Sequence, residues 1–219
     1  MGAASVQRPV PGHEFFGLAR ARLTMEVPAA LTDPDLLPAR GDHAVDPVLQ
    51  AIADIRPIRP AAVLVPVVDH PEPTVLLTLR TADLSSHAGQ IAFPGGKIDP
   101  RDSSPLAAAL REAEEEIGLD RHHVEPIGYS DLYLSGTGFR IVPAVARVAP
   151  DFRLTVNPAE VEEVFEVPLA FLMGPENHQQ HSREWRGIMR TFYAMPFGER
   201  YIWGVTAGIL RNLYERLYG

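Results

Sequence analysis

A segment near the middle of the chain constrains the fold most, because its apolar residues repeat with the period of an α-helix. At about 100° per residue, five apolar side chains fall within one narrow arc: Leu106, Ala109, Leu110, Ala113 and Ile117. Ser104 suits the N-terminal cap, Pro105 the first turn, and Gly118 the end of the helix. The pattern predicts a helix from Pro105 to about Gly118 that buries one stripe against a larger core.

The same helix carries four glutamates within five residues, and the apolar stripe separates them. Glu112, Glu115 and Glu116 lie along one flank, at spacings of three and four residues, whereas Glu114 lies on the other. Carboxylates at this spacing repel one another unless a cation intervenes, and hard divalent cations such as Mg²⁺ take such oxygen ligands. A solvated acidic face is the alternative interpretation.

Two features favour a binding site over a solvated face. A Gly-Gly pair, Gly95 and Gly96, precedes the helix and would let backbone groups come close to a ligand. The glutamates also lie toward the helix C-terminus, where the helix dipole disfavours negative charge, so stability alone does not explain them. Arg111 stands one turn before Glu115 and can orient its carboxylate.

Short β-branched or leucine-rich runs surround this helix and predict a sheet. Residues 61–69 and 74–80 read as an antiparallel pair joined by a His-Pro-Glu-Pro turn. Residues 122–134 and 139–148 are further strand candidates joined by Ser-Gly-Thr-Gly, and residues 158–172 read as a short helix or strand edge. The last 19 residues show helical spacing. The predicted class is a mixed α/β or α+β sandwich.

The first 58 residues differ from the rest in being rich in proline and alanine. Helix candidates lie at 13–23 and 46–55; in the second, Asp46 can cap and Pro47 suits the first helical position. We interpret residues 1–58 as a partly helical N-terminal extension that packs on the main domain, residues 59–219, or mediates formation of a homodimer.

Charge and composition exclude several classes of function. The net charge of −8 argues against nonspecific binding to nucleic acid or an acidic membrane, although a bound cation would still admit a small anionic ligand. Without cysteine there is no disulfide framework, thiolate zinc site or cysteine nucleophile. No apolar run has the length of a signal peptide core or a membrane span, so a cytoplasmic location is expected. In the start Met-Gly-Ala-Ala-Ser-Val, Gly2 and Ser5 fit a myristoylation pattern but the next position is valine instead of serine or threonine, so myristoylation is not expected.

The segment Arg111–Leu119, "REAEEEIGL", resembles the end of the box that defines the Nudix hydrolases. The front half of the box departs from the family: its first glutamate has no counterpart, and Asp102 and Ser103 stand nearest to its place. Gly96 takes the place of the box glycine if the loop is one residue longer than usual.

A second stretch, Leu76–Gly96, resembles the signature of the coenzyme A pyrophosphatase branch of that family. Nine positions fit: Leu76, Leu77, Thr78, Arg80, Gly89, Phe93, Pro94, Gly95 and Gly96. Ser85 stands where the branch has an arginine, so one anionic contact is missing. The resemblance spans roughly residues 60 to 215.

The resemblance implies a fold and a metal site. The fold is an α/β/α sandwich with a mixed β-sheet, in which the box forms a loop-helix-loop. Glu112, Glu115 and Glu116, with the Gly96 carbonyl, would bind Mg²⁺ or Mn²⁺, and Arg111 would support them. The metal would neutralise a diphosphate and acidify the water that attacks one phosphorus in line.

The general base is open at this point, because the metal alone can suffice and because many Nudix enzymes recruit a glutamate from outside the box. Glu160 and Glu163 are the candidates here, with solvated helix positions as the alternative. The candidates for substrate contact are the following residues: Arg80, His87, Gly95, Lys97 and Arg140. Surface ion pairs or, for His87, a turn cap are the alternative roles.

Aromatic residues and the remaining histidines receive structural interpretations. Tyr129, Tyr133 and Phe139 could stack on adenine, but core packing is the preferred interpretation. His178 and His181 lack zinc partners and are expected in a loop.

Three functions are compatible with these residues. The first is metal-dependent hydrolysis of coenzyme A or its derivatives to 3′,5′-ADP and 4′-phosphopantetheine. The second keeps the chemistry but acts on another nucleoside diphosphate derivative, such as an ADP-sugar or a dinucleotide. The third is a catalytically weak nucleotide-binding regulator, against which the intact glutamate trio argues.

Overall fold

The computed structural model describes residues 11–50, 57–82, 89–185 and 187–219. Ser85 and His87 therefore lie outside the described residues, as does the second half of the predicted helix over 46–55. The α-helices of the described part are α1 (Gly12–Arg22), α2 (Pro47–Gln50), α3 (Pro105–Ile117), α4 (Leu169–Leu172) and α5 (Val205–Tyr218). None of these helices combines the length and apolar character that crossing a bilayer requires.

The described strands form two sheets. Strands of the first sheet are β1 (Arg40–Gly41), β2 (Arg59–Val68), β3 (Thr74–Arg80), β4 (Ile91–Ala92), β5 (Gly95–Lys97), β6 (Val124–Tyr129), β7 (Tyr133–Leu134), β8 (Phe139–Val148) and β9 (Val161–Pro168). Strands of the second are β10 (Gln179–Trp185), β11 (Ile188–Phe197) and β12 (Arg200–Trp203).

The first sheet is mixed and runs in the order β1-β7-β8-β2-β3-β4, with β5, β6 and β9 pairing on β2, β8 and β3. The predicted antiparallel pair of β2 and β3 is confirmed. Strand β2 also runs parallel to β8 over its full length, from Arg59 opposite Phe139 to Val68 opposite Val148. Such a pairing of distant segments is invisible to local patterns, because it needs a crossover rather than a turn.

Helices and the second sheet cover the two faces of the first sheet. Along β2, side chains alternate between faces, so Leu64 packs with the α3 cluster while Val65 packs with the α1 and α5 cluster. The layers are thus α3, the mixed sheet, and α1 with α5. This is the α/β/α sandwich that the resemblance implies, and it agrees with the mixed α/β class predicted from the residue patterns.

The sequence signals at the ends of α3 are confirmed. The Ser104 hydroxyl accepts from the Ala107 N–H at 3.1 Å, and Pro105 opens the helix. Gly118 ends it at φ +67°, where an added Cβ would lie 2.8 Å from the Thr155 backbone nitrogen. The buried stripe is rotated slightly from the predicted one. Ala108 joins it, whereas Leu106 and Leu110 are only partly buried.

The described part of the N-terminal extension is built into the first sheet. Helix α1, predicted over 13–23, buries Phe15 and Phe16 in the core. Strand β1 pairs in parallel with β7, and Arg140 of β8 donates to the Ala30 and Asp33 carbonyls, the latter at 2.6 Å. Packing against the domain is therefore the role that the contacts support.

Near the C-terminus, one open alternative is resolved and two local predictions need correction. Of the two structures predicted for residues 158–172, a short helix or a strand edge, the strand is present as β9, followed by the single-turn helix α4. Helix α5 starts at Val205 rather than at Tyr201, because residues 200–203 pair with β11 as β12. His181 lies in strand β10 instead of a loop. Isolated periodicity misses these strands because their partners supply the pairing.

Candidate functional site

We define the acidic edge of α3 as Glu112, Glu115 and Glu116. These three residues share one flank of the helix, as the sequence predicts, but their side chains differ in solvent exposure. Glu116 is almost completely buried, Glu112 is mostly buried, and Glu115 is half exposed. Glu114 points away and pairs with Arg121 at 3.0 Å, on the surface. Along the acidic edge, side-chain exposure therefore increases from the buried Glu116 to the half-exposed Glu115.

Arg111 ties two of these carboxylates together. Its Nη1 donates to Glu112 Oε1 at 2.9 Å and to Glu115 Oε2 at 3.0 Å, so both carboxylates lie within hydrogen-bonding reach of one nitrogen. Its Nε and Nη2 bind both oxygens of Asp102, at 3.0 and 2.9 Å. The hydrogen bonds that Arg111 donates to Asp102 are the main reason that the pKa of Arg111 lies above its usual value.

Glu116 is held by a different set of groups. Its Oε1 accepts from Arg80 Nη1 and its Oε2 from the Gly95 N–H, both at 3.1 Å. Burial raises the pKa of Glu116 to about 7, although the Gly95 N–H and the Arg80 charge pull it down. Burial likewise raises the pKa of Glu112 against the lowering effect of Arg111. Both carboxylates are thus short of compensating positive charge.

The Gly-Gly pair brings backbone against this edge. A Cβ on Gly96 would lie 2.6 to 2.7 Å from the carboxylate atoms of Glu112, so only glycine lets the two approach this closely. Gly95, at φ +154°, packs equally tightly on strand β2, where a Cβ would lie 2.5 Å from the Ala62 oxygen. The loop therefore presses its backbone onto the acidic edge.

The donor set fits a hard divalent cation, because carboxylate oxygens meet backbone at one place. Among the described residues, no group of three or more histidine, aspartate or glutamate side chains is already closed around a single point. The contacts give the reason: Arg111 binds Glu112 and Glu115, whereas Arg80 binds Glu116, so two separate arginines hold the carboxylates of the acidic edge.

Comparison with known proteins decides the family. A model of the NUDIX domain matches residues 58–186, more than half of the chain. The chain belongs to the Nudix family. A Photorhabdus laumondii protein named "Uncharacterized Nudix hydrolase NudL" is 42% identical over 159 residues, which is 73% of this chain and 85% of the relative. A Cronobacter sakazakii protein of the same name is 44% identical over 155 residues, or 71% and 81% of the two chains.

Among solved structures, the chain resembles a C. elegans Ap4A hydrolase binary complex with a TM-score of 0.44 and 18% identity. The alignment covers 50% of this chain and 80% of that one.

As a Nudix hydrolase, the protein is an enzyme of the pyrophosphohydrolase type that acts on a nucleoside diphosphate derivative. Nudix hydrolases generally use divalent metal cations, which agrees with the donors at the acidic edge. The Nudix box of this chain comprises the loop from Gly96 and helix α3, and its helix lies against strand β2 and strand β5.

Two residues predicted from sequence lie away from this site. Arg140 is buried, and its guanidinium is occupied by the backbone carbonyls of Ala30 and Asp33, so it anchors the extension rather than contacting substrate. Glu163 opposes Leu79 on β3, whose side chain packs in the α1 and α5 cluster, so Glu163 lies on the sheet face opposite α3. The structure therefore does not bring Arg140 or Glu163 to the acidic edge.

Glu163 has a partner on that far face. It forms two hydrogen bonds with Arg200, at 2.6 and 3.0 Å, and these bonds lower the pKa of Glu163. A carboxylate whose pKa is lowered by an arginine is a poor proton acceptor.

Glu160 follows a segment that lies against α3. The chain before it binds the last turn of α3: the Thr155 N–H donates to the Ile117 carbonyl and the Asn157 N–H to the Glu116 carbonyl, both at 2.9 Å. Asn157 Nδ2 in turn holds Glu160 Oε1 at 3.1 Å. Burial is the main cause of the raised pKa of Glu112, and the negative charge of Glu160 adds a smaller contribution in the same direction.

The remaining predicted residues divide as follows. Arg80 and Gly95 are brought to the acidic edge through Glu116, and Lys97 is an exposed residue of β5 whose carbonyl accepts from Arg111 Nη2 at 3.3 Å. His87 lies outside the described residues. The contact between Arg80 and Glu116 could not be predicted from residue spacing, because β3 and α3 are distant in sequence and are brought together by tertiary packing.

The aromatic residues and histidines agree mostly with the structural interpretation. Tyr129 and Tyr133 are buried, and Phe139 stacks under Arg59 at 3.9 Å. The pKa of His178 is lowered by burial, and its Nε2 contacts the Leu172 carbonyl at 2.7 Å. His181 stacks on Tyr201 on an exposed strand. None of these contacts involves the acidic edge.

Proposed function

We propose that the protein hydrolyses the diphosphate bond of coenzyme A or its derivatives, giving 3′,5′-ADP and 4′-phosphopantetheine. The observation that carries the proposal is the meeting of two sequence signatures at Glu116. Arg80 and Gly95, which belong to the stretch resembling the coenzyme A pyrophosphatase branch, both bind the buried glutamate of the Nudix box. The stretch that distinguishes the branch is thus part of the candidate active site.

Glu112, Glu115 and Glu116 would hold Mg²⁺ or Mn²⁺ together with the Gly96 carbonyl. When bound, such an ion neutralises diphosphate charge and lowers the pKa of water. The approach of Gly96 to the Glu112 carboxylate supports this assignment.

The protein's own groups orient the reactants. Arg111 fixes the Glu112 and Glu115 carboxylates, and Arg80 lies beside Glu116, one fifth exposed, where it can turn to a substrate phosphate. Lys97, on the adjoining strand β5, supplies a further exposed positive charge. Glu160 acts as general base: a water oxygen bonds to phosphorus, its proton passes to Glu160, and the bridging P–O bond breaks toward the leaving phosphate.

The partner is a small molecule, and the charge of −8 disfavours nucleic acid and acidic membranes. We further propose a cytoplasmic location and, through surfaces of the N-terminal extension, a homodimer. Size-exclusion chromatography with light scattering tests the dimer.

Product analysis tests the substrate. Coenzyme A, ADP-ribose and a dinucleoside polyphosphate are each incubated with Mg²⁺, with Mn²⁺ and with chelator, and the products are separated by chromatography. We expect 3′,5′-ADP from coenzyme A only in the presence of metal. Absence of coenzyme A cleavage with either metal rejects the proposal.

One observation favours a second substrate. Ser85 replaces an arginine of the coenzyme A branch, which removes a positive charge for the phosphates of coenzyme A. Faster turnover of ADP-ribose or a dinucleotide than of coenzyme A in the same assay would assign the protein to another nucleoside diphosphate derivative. Binding of these nucleotides without turnover would indicate a regulator.

A further inference from the structure

Asp102 lies in the loop before α3, where the family's first box glutamate is missing. Its side chain is only 7% exposed and accepts two hydrogen bonds from Arg111, from Nε to Oδ1 and from Nη2 to Oδ2. Bidentate contacts of this kind are stronger and more specific in geometry than single hydrogen bonds between neutral groups. The hydrogen bond from Arg111 also lowers the pKa of Asp102, so the carboxylate is charged at neutral pH.

The loop itself fixes the Asp102 carboxylate. The Asp99 N–H donates to Asp102 Oδ2 at 2.8 Å, and the Asp102 N–H donates to the Asp99 carbonyl at 2.9 Å. The turn therefore orients the aspartate independently of Arg111. Asp102 can act as a fixed support, and Arg111 is the group that it positions.

Every N–H of the Arg111 guanidinium is used. Besides the two bonds to Asp102, Nη2 donates to the Lys97 carbonyl, and Nη1 donates to Glu112 and Glu115. These five contacts match the five N–H donors of the side chain. With Asp102 holding one edge of the planar group, Nη1 has a fixed direction toward the two glutamates.

We propose that Asp102 is the positioning residue of this site and stands in for the missing box glutamate. It acts through Arg111, which sets the separation and direction of the Glu112 and Glu115 carboxylates. This inference rests on the proposed metal site, because the geometry that Asp102 maintains is that of two of its ligands. Supporting groups of this kind typically change metal affinity or activity by about 10- to 100-fold.

The test measures Mn²⁺ affinity by electron paramagnetic resonance on the full chain without substrate. Asp102→Asn keeps the shape of the side chain but loses its charge and one acceptor, and we expect about 10-fold weaker Mn²⁺ binding. Asp102→Glu keeps the carboxylate and should restore most of the affinity. Asp151→Asn, at a position with an 80% exposed side chain, removes the same charge away from the site and should bind Mn²⁺ like the wild type.

A double-mutant cycle tests whether Asp102 acts through Arg111. Arg111→Lys cannot reproduce the fork of the guanidinium, so Asp102→Asn should add little to the loss that Arg111→Lys already causes. Losses that multiply in the double variant, or wild-type Mn²⁺ affinity in Asp102→Asn, overturn the proposal.

Two further outcomes are distinguishable. If Asp102→Asn does not fold by circular dichroism, the Asp102→Glu protein decides: retained Mn²⁺ affinity supports the proposal, and lost affinity in a folded protein overturns it. A wild-type protein that does not bind Mn²⁺ would instead reject the proposed metal-dependent function.

Discussion

Two polar clusters of this protein contain the same residue types, arginine with aspartate or glutamate, but differ in how completely their charges are paired. The acidic edge, with its arginines Arg80 and Arg111, joins a loop to helix α3. A second cluster, which we call the anchor cluster, joins the N-terminal extension to the sheets. It comprises the following residues: Asp42, Asp46, Tyr133, Arg140 and Arg190.

The anchor cluster is closed by contacts within the protein. Asp42 accepts from the Tyr133 hydroxyl at 2.6 Å and from the Gly136 N–H, and Asp46, 1% exposed, pairs with Arg190. Arg140 donates to backbone carbonyls. Burial raises the pKa of Asp42, but each of its oxygens has a donor. Such a cluster fixes one packing arrangement.

The acidic edge differs in its balance of charge. Four carboxylates, those of Asp102, Glu112, Glu115 and Glu116, share two arginines, Arg80 and Arg111. The acidic edge therefore carries more negative than positive charge at a half-open position, as the proposed metal site requires. A buried polar cluster is therefore informative about function when its charges do not cancel.

The largest effect is expected at the acidic edge itself. Glu115→Gln removes a proposed metal ligand and should lower kcat/KM roughly 10²–10³-fold. This loss corresponds to an increase of about 3–4 kcal/mol in the activation free energy. Glu114→Gln is a matched control, because the two side chains are 57% and 54% exposed on neighbouring positions. Unfolding free energies of both variants should stay within about 1 kcal/mol of the wild type. Equal activities of the two variants would refute the functional difference between the two flanks of the helix.

Gly96→Ala should have the next largest effect. The added methyl would overlap the Glu112 carboxylate and displace it, so we expect roughly a 10²-fold loss of kcat and weaker metal activation. Gly17→Ala serves as the control, because a Cβ there meets nothing within 4 Å and the residue lies in α1. Steady-state kinetics at varied Mg²⁺ concentration measure both. Full activity of Gly96→Ala would mean that the loop does not press on the site.

Arg140→Met should destabilise the protein without harming catalysis. It leaves the Ala30 and Asp33 carbonyls without their donor, at a cost of about 1–3 kcal/mol in unfolding free energy. Urea denaturation measures the loss, and KM should stay unchanged. Arg20→Met, which breaks an exposed pair with Glu125, should cost less than about 1 kcal/mol. A raised KM in Arg140→Met would return Arg140 to the substrate site.

Glu163→Gln should have the smallest effect. Arg200 lowers the pKa of Glu163 in the folded protein, so the pair contributes stability above the unfolded pKa near 4.3, and this contribution is lost as pH falls through the folded pKa. The pair is half exposed, so its contribution at pH 7 is under about 1 kcal/mol. Activity should not change, whereas Glu160→Gln should lower kcat about 10²-fold. Comparable losses in both variants would contradict the assignment of Glu160 as the base.

Much of the site could be predicted from local sequence. The cap at Ser104, the stop at Gly118 and the helical spacing between them fix which side of α3 each glutamate occupies, because these are properties of a single helix. The Gly-Gly pair could be recognised as a close approach of backbone. In the fold, the antiparallel pair β2 and β3 followed from one turn and two short runs.

Other features depended on partners far away in the chain. Glu160 and Glu163 are three residues apart and indistinguishable by pattern, yet a strand alternates its side chains and the loop before it docks on α3, so they end on different faces of the sheet. From the sequence, Arg140 is a candidate for binding a substrate phosphate. In the structure, its guanidinium instead binds backbone of the N-terminal extension.

The sequence by itself determined that three of four clustered glutamates share one helix edge, because the helical period is a local property. The position of Arg111 one turn before Glu115 likewise predicted the contact between them. Only the tertiary structure decided that Glu116 is held in the core between Arg80 and Gly95, and that Arg111 is held by Asp102. Burial and long-range ion pairs depend on contacts between distant segments, and residue spacing within one segment does not specify those contacts.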